Sequence, residues 1–495
     1  MKKIYTLLAL ATVATAAWAG GLLHNTNQSI AWQRMMARGA TTEIDGVFTN
    51  PAGLAWLDHE GWTMSLNFQS AFQTRDVEAT FDLFSYTNPE HSNVRKYGGE
   101  ATAPVVPSLY AAYKKDRWVA SAFFGITGGG GKCNFEDGLP MFDAAVMSGI
   151  YSKTKGLLAS QPLLQQMVGA EAITPDMYTI NTAMKGQQYV FSGQLGGTYR
   201  MTDFLSAYAG IRLNYFRGNY KGHLDASLGD ALKQRAAAGL ATLPAEQQAV
   251  YAPLLTTLGQ EGGLTHIALD TDQKGWGVTP ILGVDFKFGP VILAAKYEFK
   301  TKLNIENDTK TLEATAMGQA SEDLETAMAG YKHGVNTPND LPSVLYVAAG
   351  YEILPKKLRA AVEYHFYDDK HARMANEKQN YLKHGTHEIL AGLEWDINKM
   401  FTISGGFQNT DYGLSDEYQT HTAFSCDSYS LGFGGAVNIT EKLRLNVGYF
   451  WTTYKDYTKD VPAATPGGYC NTTLKGKDVY SRTNRVFGLG IDYKF

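Results

Sequence analysis

The stretch Asn484-Arg485-Val486-Phe487-Gly488-Leu489-Gly490-Ile491-Asp492-Tyr493-Lys494-Phe495 alternates large apolar residues with small or polar ones. Alternation with a period of two predicts a strand that has one apolar face and one polar face. In a transmembrane barrel the apolar face meets lipid and the polar face lines the lumen, which is the reverse of a soluble sheet. The stretch is typical of the last strand of such a barrel, although an amphipathic last strand also closes soluble sandwiches.

The amino-terminal end of the chain predicts export. A positively charged start, Met1-Lys2-Lys3, is followed by the apolar segment 4–17 and the small-residue site Ala17-Trp18-Ala19. This order is typical of a cleaved secretory signal, here residues 1–19. The apolar segment is shorter than the roughly 20 residues that a membrane helix needs. An exported chain without a membrane helix can still span a membrane as a closed barrel, in which every backbone group is paired.

The composition agrees with a barrel. The chain has Gly 51, Tyr 29 and 12% aromatic residues, and its 19% of charged residues is below the soluble average of roughly 25%. A net charge of -4 argues against a nucleic-acid partner, which would require a basic stripe. The three cysteines are too few for a disulfide scaffold. Cys426 and Cys470 fall in predicted outer loops and could form a disulfide in an oxidising compartment, which would leave Cys133 without a disulfide partner.

Period-two apolarity recurs in about fourteen segments along the chain. The predicted strands lie near 62–75, 104–114, 117–127, 188–200, 204–220, 275–287, 291–302, 341–353, 357–367, 386–397, 401–408, 428–439, 442–454 and 484–495. Links between them alternate between tight turns, such as Lys115-Asp116, and long loops. This rhythm is typical of bacterial barrels with short periplasmic turns and long outer loops. The sequence therefore predicts an all-β fold, a fourteen-stranded antiparallel transmembrane β-barrel over residues 61–495.

Charged residues follow the polar faces of these strands. Leu445 and Val447 share one parity in their strand, and Arg444 has the other. Because an Arg or Lys that faces lipid at mid-bilayer costs roughly 2 to 4 kcal/mol, we expect the charged face to point into the lumen. The segment 341–353 is apolar on both faces and predicts an apolar part of the lumen. Pro280, in the middle of a strand, predicts a local break in the ladder.

Two insertions between strands have helical character. The segments Asp230–Leu258 and Leu312–Tyr331 carry apolar residues among alanines and acidic residues. We expect short helices that cover the outer mouth of the barrel. Their apolar residues either form a docking groove or only pack the loops together, and the groove candidates are Leu240, Leu243, Leu254 and Leu258.

Residues 20–60 form a stretch too long for a simple lead-in to the first strand. It contains Asn50-Pro51-Ala52-Gly53, and an Asn-Pro pair followed by small residues predicts a compact reversal of the chain. Because the stretch precedes a strand whose start is periplasmic, it can fold inside the lumen. We therefore predict an amino-terminal plug, or hatch, with Asn50, Pro51, Ala52 and Gly53 as its motif.

The chain resembles the FadL-type family of outer-membrane channels for long-chain fatty acids and hydrocarbons. The resemblance rests on Thr49-Asn50-Pro51-Ala52-Gly53-Leu54-Ala55 before the first strand, on Lys274-Gly275-Trp276-Gly277 at the start of another, and on the aromatic ending. It covers essentially the whole mature chain. It implies a monomeric barrel with a hatch, an outer low-affinity groove, an inner pocket, and lateral release of ligand at a kink in the third strand.

The resemblance also implies site residues. Gly125 and the run Gly128 to Gly131, with Gly128 and Gly129 foremost, are the candidates for the kink, the alternative being a flexible loop start. Arg217 matches a position near the family's pocket, where it would bind a carboxylate. Strict alternation, however, places Arg217 on the face of its strand that meets lipid. Arg212 lies on the opposite, inward face and is therefore the alternative candidate for binding a carboxylate. For either arginine, pairing with acidic residues in the lumen is the competing role.

No catalytic constellation is predicted, since nothing resembles a nucleophile elbow. His365, His371, His384 and His387 surround one outer loop, but their spacing matches no compact metal-ligand set, and no cofactor is expected. The expected location is the outer membrane of a Gram-negative bacterium, with outer-membrane lipid, lipopolysaccharide, the barrel-assembly machinery and long-chain fatty acids or other hydrophobic small molecules as partners. A general aqueous porin and a surface adhesion or structural protein are the alternatives.

Overall fold

The computed structural model describes residues 22–88, 90–160, 165, 176–464 and 467–495. The predicted signal, residues 1–19, lies outside the described residues. None of the described helices has both the length and the apolar character that crossing a bilayer would require.

One antiparallel sheet closes on itself to form the barrel. Its strands are β1 (Gly61–Phe81), β2 (Val94–Lys115), β3 (Trp118–Phe135), β4 (Tyr178–Arg200), β5 (Leu205–Leu228), β6 (Thr265–Phe288), β7 (Val291–Glu298 and Asn304–Ala316), β8 (Asn336–Pro338 and Val344–Leu354), β9 (Leu358–Tyr367), β10 (Thr386–Asp396), β11 (Phe401–Asp411), β12 (Ser428–Asn438), β13 (Leu443–Tyr454 and Tyr457–Val461) and β14 (Gly476–Lys494). Each strand pairs with its neighbours in the chain, and β14 pairs with β1 from Thr63–Lys494 onward. The predicted fourteen-stranded barrel is confirmed.

Helices lie inside the barrel and in its outer loops. The α-helices are α1 (Ile30–Met35), α2 (Gly46–Thr49), α3 (Pro140–Ser160), α4 (Asp230–Ala241), α5 (Ala245–Gly259) and α6 (Glu322–Ala327). Short 3-10 helices cover Pro51–Trp56, Asp82–Tyr86, Ala329–Tyr331, Asp369–His371, Ala375–Tyr381 and Tyr469–Asn471. α1, α2 and Pro51–Trp56 belong to the stretch before β1, which fills the lumen as the predicted plug.

The two faces of β14 have the predicted sidedness. Phe487 and Leu489 are 52% and 50% exposed on the outside of the barrel. Gly488 and Gly490 point inward, where an added Cβ would meet Ile30 of α1. Outward rings also pair between strands, as at Tyr215 and Trp276, whose ring centroids are 4.3 Å apart. The apolar face therefore meets lipid, and the lumen is filled by the plug.

Several strands are longer than predicted at their outer ends. β4 begins at Tyr178, β5 ends at Leu228 and β6 begins at Thr265. The helical prediction for Leu312–Tyr331 is wrong in its first part, because β7 continues to Ala316 and only the second part is helical. Above the bilayer both faces of a strand contact water or loops, so its sequence no longer alternates cleanly.

The break predicted at Pro280 is confirmed in the pairing of β6 with β7. β6 pairs with one part of β7 as far as Lys274 and with the other part from Ile281 onward. The residues that link the two parts of β7 form no ladder pairs with β6. One of them, Thr301, forms an isolated β-bridge with Leu341. Thr301 and Leu341 are buried, so the interrupted strand bends into the lumen there.

We predict that Leu489→Arg destabilises the barrel by about 2 to 4 kcal/mol, because it places a cation against lipid near the middle of the bilayer. Urea unfolding in lipid vesicles measures the change. Thr179→Arg is the matched control, since Thr179 is exposed on the outer extension of β4. Equal stability of the two variants would contradict the assigned membrane position.

Candidate functional site

The plug, here residues 22–60, packs against a row of inward glycines. Gly392, Gly406, Gly432 and Gly448 lie on the four neighbouring strands β10 to β13. A Cβ at any of them would collide with α1 or with the residue that follows it. These glycines let the helix approach the wall more closely than any other residue would allow.

Buried ion pairs join α1 to the wall. Arg34 pairs with Glu394 of β10, and both side chains are fully buried. The guanidinium of Arg34 also donates to the hydroxyl of Ser404 on β11 at 2.8 Å. Glu394 is shared with Arg359 of β9, which also pairs with Asp396 at 2.6 Å. Removing one member of such a network would leave a buried charge without compensation.

A second group of charges holds the plug below α1. Arg38 donates to Asp45 at 2.7 Å and to Glu43 at 2.7 Å, and Arg444 of β13 pairs with Glu43 at 3.3 Å. Burial alone would lower the pKa of Arg38, but Asp45 and Glu43 raise it. Burial likewise opposes the charged form of Glu43, yet Arg444 and Arg38 hold its pKa well below the usual value. The stabilisation from Glu43 is therefore present at neutral pH and is lost only when the pH falls through that lowered pKa.

The motif residue Asn50 fixes the other end of the plug to β6. Its side-chain amide donates to Asp285 at 2.6 Å and to the carbonyl of Thr41 at 3.1 Å. Gly53 is required at its position, since a Cβ there would collide with the Thr41 carbonyl and with Asn50. The reversal predicted for this motif is present as the start of the 3-10 helix Pro51–Trp56.

The carbonyl groups of the motif bond to two further strands. Thr198 of β4 donates to the carbonyl of Pro51 at 2.7 Å, and Ser206 of β5 donates to that of Ala52 at 2.8 Å. Pro51 and Ala52 are fully buried or nearly so. The motif is thus bound to the wall through side chains of β4, β5 and β6.

The barrel wall is incomplete between β2 and β3. Their ladder ends at Thr102, opposite Lys132, and resumes only at Leu109, opposite Phe124. Residues 103–108 of β2 and 125–131 of β3 face each other without ladder pairs, and we refer to them as the wall gap. Two prolines in this part of β2, Pro104 and Pro107, have no N–H to donate.

The candidate kink residues lie on the β3 side of the wall gap. The pairing of β3 with β4 shifts register between Ile126 and Gly128 and again between Gly129 and Gly131. Gly129 has φ +83, a left-handed conformation that favours glycine. A Cβ at Gly128 would lie 2.6 Å from the carbonyl of Leu23, and one at Gly125 would lie 2.8 Å from Gln28 Oε1.

The first residues of the plug bond to the free edges of the wall gap. The backbone N–H of Asn25 donates to the carbonyl of Thr127 at 2.8 Å, and the side chain of Gln28 donates to that of Ile126 at 2.9 Å. On the other side, the hydroxyl of Ser108 donates to the carbonyl of Gln28 at 2.6 Å. The plug therefore satisfies backbone groups that a complete ladder would otherwise pair.

The two candidate arginines lie on opposite sides of β5. Arg212 points inward, is buried, and forms a two-pronged ion pair with Glu298 at 2.7 and 2.9 Å. It also donates to Gln194 at 3.0 Å. Arg217 is exposed on the outer face of β5, the face that also carries Tyr215, and the ladders of β5 with β4 and β6 show no register shift. The strict alternation of β5 therefore continues through Arg217, which faces outward as that alternation predicts.

An apolar cavity lies above the plug, and we refer to it as the outer pocket. It has a volume of about 50 Å³ and lies between α3, the outer ends of β4 to β6, and loop residues. Its lining includes Met141, Met184, Leu224, Ile267, Met328 and Tyr331. Burial raises the pKa of Tyr331, so its phenol stays neutral. The pocket therefore presents a largely apolar surface to the outer end of the lumen.

The groove candidates in the β5–β6 loop have different environments. Leu240 lines a cleft of about 380 Å³ between α4 and α5. Leu243 is buried where the two helices join, Leu254 is exposed, and Leu258 packs partly buried on the cluster below. The four leucines do not form one continuous face, and only Leu240 is in the cleft lining.

The histidines and cysteines have ordinary partners. His365 is buried against Glu388 at 3.0 Å, and the rings of His384 and His387 are 5.1 Å apart. Among the described residues, no cluster of ligating side chains has the geometry to hold a metal ion. All three thiols are free, so Cys426 and Cys470 do not form the disulfide that their loop positions allowed.

Solved structures with the same architecture are known. The barrel matches a Pseudomonas aeruginosa FadL homologue with a TM-score of 0.62 at 12% identity, covering 96% of this chain and 100% of that chain. It matches the toluene transporter TodX of P. putida with a TM-score of 0.52 at 16% identity, covering 92% and 95%. The toluene transporter TbuX of Ralstonia pickettii gives 0.53 at 13% identity, covering 94% and 98%.

The chain has the fold of the FadL-type channels. No family model and no curated protein sequence matches it, so the resemblance lies in the architecture. The fold also contains α3, a helix in the loop between β3 and β4 that was not predicted from the sequence. Pro140 in the first turn and the acidic Asp143 after it were the available signals.

We predict that Asn50→Ala loosens the plug, because it removes the bonds to Asp285 and to the Thr41 carbonyl. A loss of about 1 to 3 kcal/mol would lower the ratio of closed to open plug about 5- to 150-fold. Single-channel recording in planar bilayers should show more frequent openings to small ions. Asn438→Ala is the control, since the Asn438 side chain donates to the carbonyl of Lys399 at the barrel rim. Unchanged conductance in an assembled Asn50 variant would contradict the anchoring role.

Proposed function

We propose that the protein is an outer-membrane channel of a Gram-negative bacterium that takes up hydrophobic compounds passively, with long-chain fatty acids as the principal ligands. The observation that carries the proposal is the outer pocket, an apolar cavity in a barrel whose lumen is filled below it. A channel for water-soluble solutes would need an open aqueous bore instead. Aromatic hydrocarbons, suggested by the toluene transporters of the same fold, are the second ligand class.

The proposed route has three stages. Ligand first meets the apolar cleft between α4 and α5, then enters the outer pocket, and finally leaves sideways through the wall gap. Each methylene that moves from water into an apolar site contributes about 0.8 kcal/mol, so capture needs no energy source. Lateral release through the wall gap would deliver the chain to lipid and keep it out of the aqueous periplasm.

The proposal includes the remaining partners and boundaries. We infer that residues 1–19 are removed on export, that residues 20–60 act as the hatch, and that the barrel acts as a monomer without catalysis. Outer-membrane lipid and lipopolysaccharide would surround it, and the barrel-assembly machinery would insert it. A general porin is disfavoured by the buried ion pairs that fix the plug, and a purely adhesive role does not account for the apolar outer pocket.

Uptake by whole cells tests the function. Cells whose outer membrane lacks other hydrophobic channels should gain uptake of labelled oleate when they produce the full chain. Toluene uptake, measured in parallel, separates the two ligand classes. An assembled barrel that admits neither ligand but conducts small ions freely would contradict the proposal and favour the porin.

We predict that Gly129→Val lowers this uptake while the barrel still assembles. Left-handed φ costs a residue with a Cβ about 1 to 2 kcal/mol, which corresponds to about a 5- to 30-fold shift away from the kinked conformation. The added Cβ would also collide with the carbonyl of Gln188. Gly193→Val on β4 is the control, because a Cβ there meets nothing within 4 Å. Equal uptake by both variants would contradict a role for the kink at Gly129 in ligand release.

A further inference from the structure

The outward faces of β5 and β6 carry no charge over most of their length. On β5 the outward residues from Leu205 to Tyr215 are apolar or aromatic, and on β6 the same holds from Phe288 back to Trp276. The next outward residues toward the outer loops are Arg217 and Lys274, and both are exposed. A barrel of this kind faces lipid with an apolar band about 25 Å tall that aromatic girdles flank. The two cations therefore mark the outer edge of that band.

An aromatic pair lies directly below the two cations. Tyr215 and Trp276 are ladder partners with ring centroids 4.3 Å apart, and Arg217 and Lys274 are the partners two residues further out. Tyr189 of β4 is the other ladder partner of Arg217. Tyrosine and tryptophan rings of membrane proteins lie at the level of the lipid headgroups. The cation pair is therefore at the height where lipid phosphates lie.

The acidic groups nearby do not neutralise the cation pair. Asp272, two residues further out on β6, is paired with Lys310 at 2.6 Å. Glu306 of β7 is the other ladder partner of Lys274, but within the described part of the chain neither Lys274 nor Arg217 forms an ion pair with a carboxylate. Like charges directly opposite each other on neighbouring strands destabilise a sheet. An anion from outside the chain would relieve this repulsion.

A third cation lies beside the pair. The link between the two parts of β7 carries Lys302, which is exposed, whereas its neighbours Thr301 and Leu303 are buried. The carbonyl of Lys302 lies 3.0 Å from the position of a Cβ built at Gly277, the residue after Trp276. The interruption of β7 thus brings a further lysine to the level of the aromatic pair.

The seam between β1 and β14 has a different distribution of outward charge. Asp76 of β1 is paired with Lys96 at 3.2 Å. Arg485 of β14 is exposed, but its ladder partners are Phe72 and Trp451. It is therefore a cation with aromatic rather than cationic neighbours across the ladder. This difference makes Arg485 a matched control for the cation pair of β5 and β6.

We propose that Arg217, Lys274 and Lys302 bind a phosphate group of lipopolysaccharide, the phosphorylated glycolipid of the outer leaflet. The inference rests on the outer-membrane location and goes beyond the proposed function, because the site lies on the lipid side of the wall and not on the route of the transported compound. It assigns Arg217 to a lipid phosphate instead of the carboxylate of a transported ligand.

The surface matches both parts of such a lipid. A guanidinium donates two parallel hydrogen bonds to a phosphate, and a lysine adds a point charge. Below the cations, Leu213 and Val278 are 49% and 52% exposed, so they offer an apolar surface to the acyl chains. Positive charge above and apolar area below complement a lipid that has phosphate above and hydrocarbon below.

Lipopolysaccharide with and without its phosphate groups tests the assignment. Each form is titrated into the delipidated full-length barrel in detergent, with EDTA present so that Mg²⁺ cannot bridge phosphate to acidic residues. The unaltered protein should bind the phosphorylated form more tightly. The double variant Arg217→Gln/Lys274→Gln should weaken that binding about tenfold, because charge-assisted contacts are lost. Its affinity for the dephosphorylated form should be unchanged.

Arg485→Gln is the matched control, since it removes the same charge from an outward position without a cation across the ladder. It should change neither affinity. Inorganic phosphate alone should not compete, because it lacks the acyl chains that lie on the wall. An equal loss in Arg485→Gln, equal affinity of the unaltered protein for the two forms of the lipid, or displacement by inorganic phosphate would overturn the assignment.

Thermal stability separates lipid binding from a structural role. Without lipid, the double variant should have the same thermal midpoint as the unaltered protein, because both side chains are exposed. Phosphorylated lipopolysaccharide should raise the midpoint of the unaltered protein more than that of the variant. Arg217→Lys keeps the charge and should retain part of the affinity. A lower midpoint of the lipid-free double variant, or an equal rise on addition of lipid, would contradict the lipid site.

Discussion

The lipid bilayer forces the charged residues of this barrel inward, and the rest of the structure follows from the need to compensate them. Glu394, Arg359 and Arg444 all lie on the lumen face of the wall, because on the other face each would meet hydrocarbon. Inside a narrow lumen they need partners of opposite charge. The plug supplies these partners through Arg34 and Glu43. Filling the lumen is thus an electrostatic requirement as well as a steric one.

A filled lumen leaves few ways through the barrel. α1 packs directly on inward glycines, and the Asn50 motif bonds to three strands. The wall is weakest where β2 and β3 lack ladder pairs, and there the plug itself bonds to the free edges. A hydrophobic ligand gains nothing from an aqueous path, whereas a side exit delivers it to lipid. The proposed route follows from this difference in solvation.

The sequence predicts the parts of the fold that the bilayer constrains. Alternation locates the fourteen strands and gives the facing of most of them, since each has a lipid side. The exception is the segment 341–353, which is apolar on both faces. The outer extensions of β4 to β6 were missed because they rise above the lipid and lose that signal. The plug motif was recognisable as a turn, but its contact with Asp285 joins residues far apart in the chain. Arg217 and Lys274 show only outward parity, and their register across two strands requires the structure.

Photo-cross-linking tests the central claim of a filled lumen with a side exit. A fatty acid that carries a diazirine near the end of its chain is loaded onto the full-length protein in lipid vesicles, and the adducts are mapped by mass spectrometry. The account predicts adducts in the outer pocket and at the wall gap, on residues 103–108 and 125–131. Adducts along the periplasmic side of the plug, near Glu43 and Asp58, with none at the wall gap would contradict it.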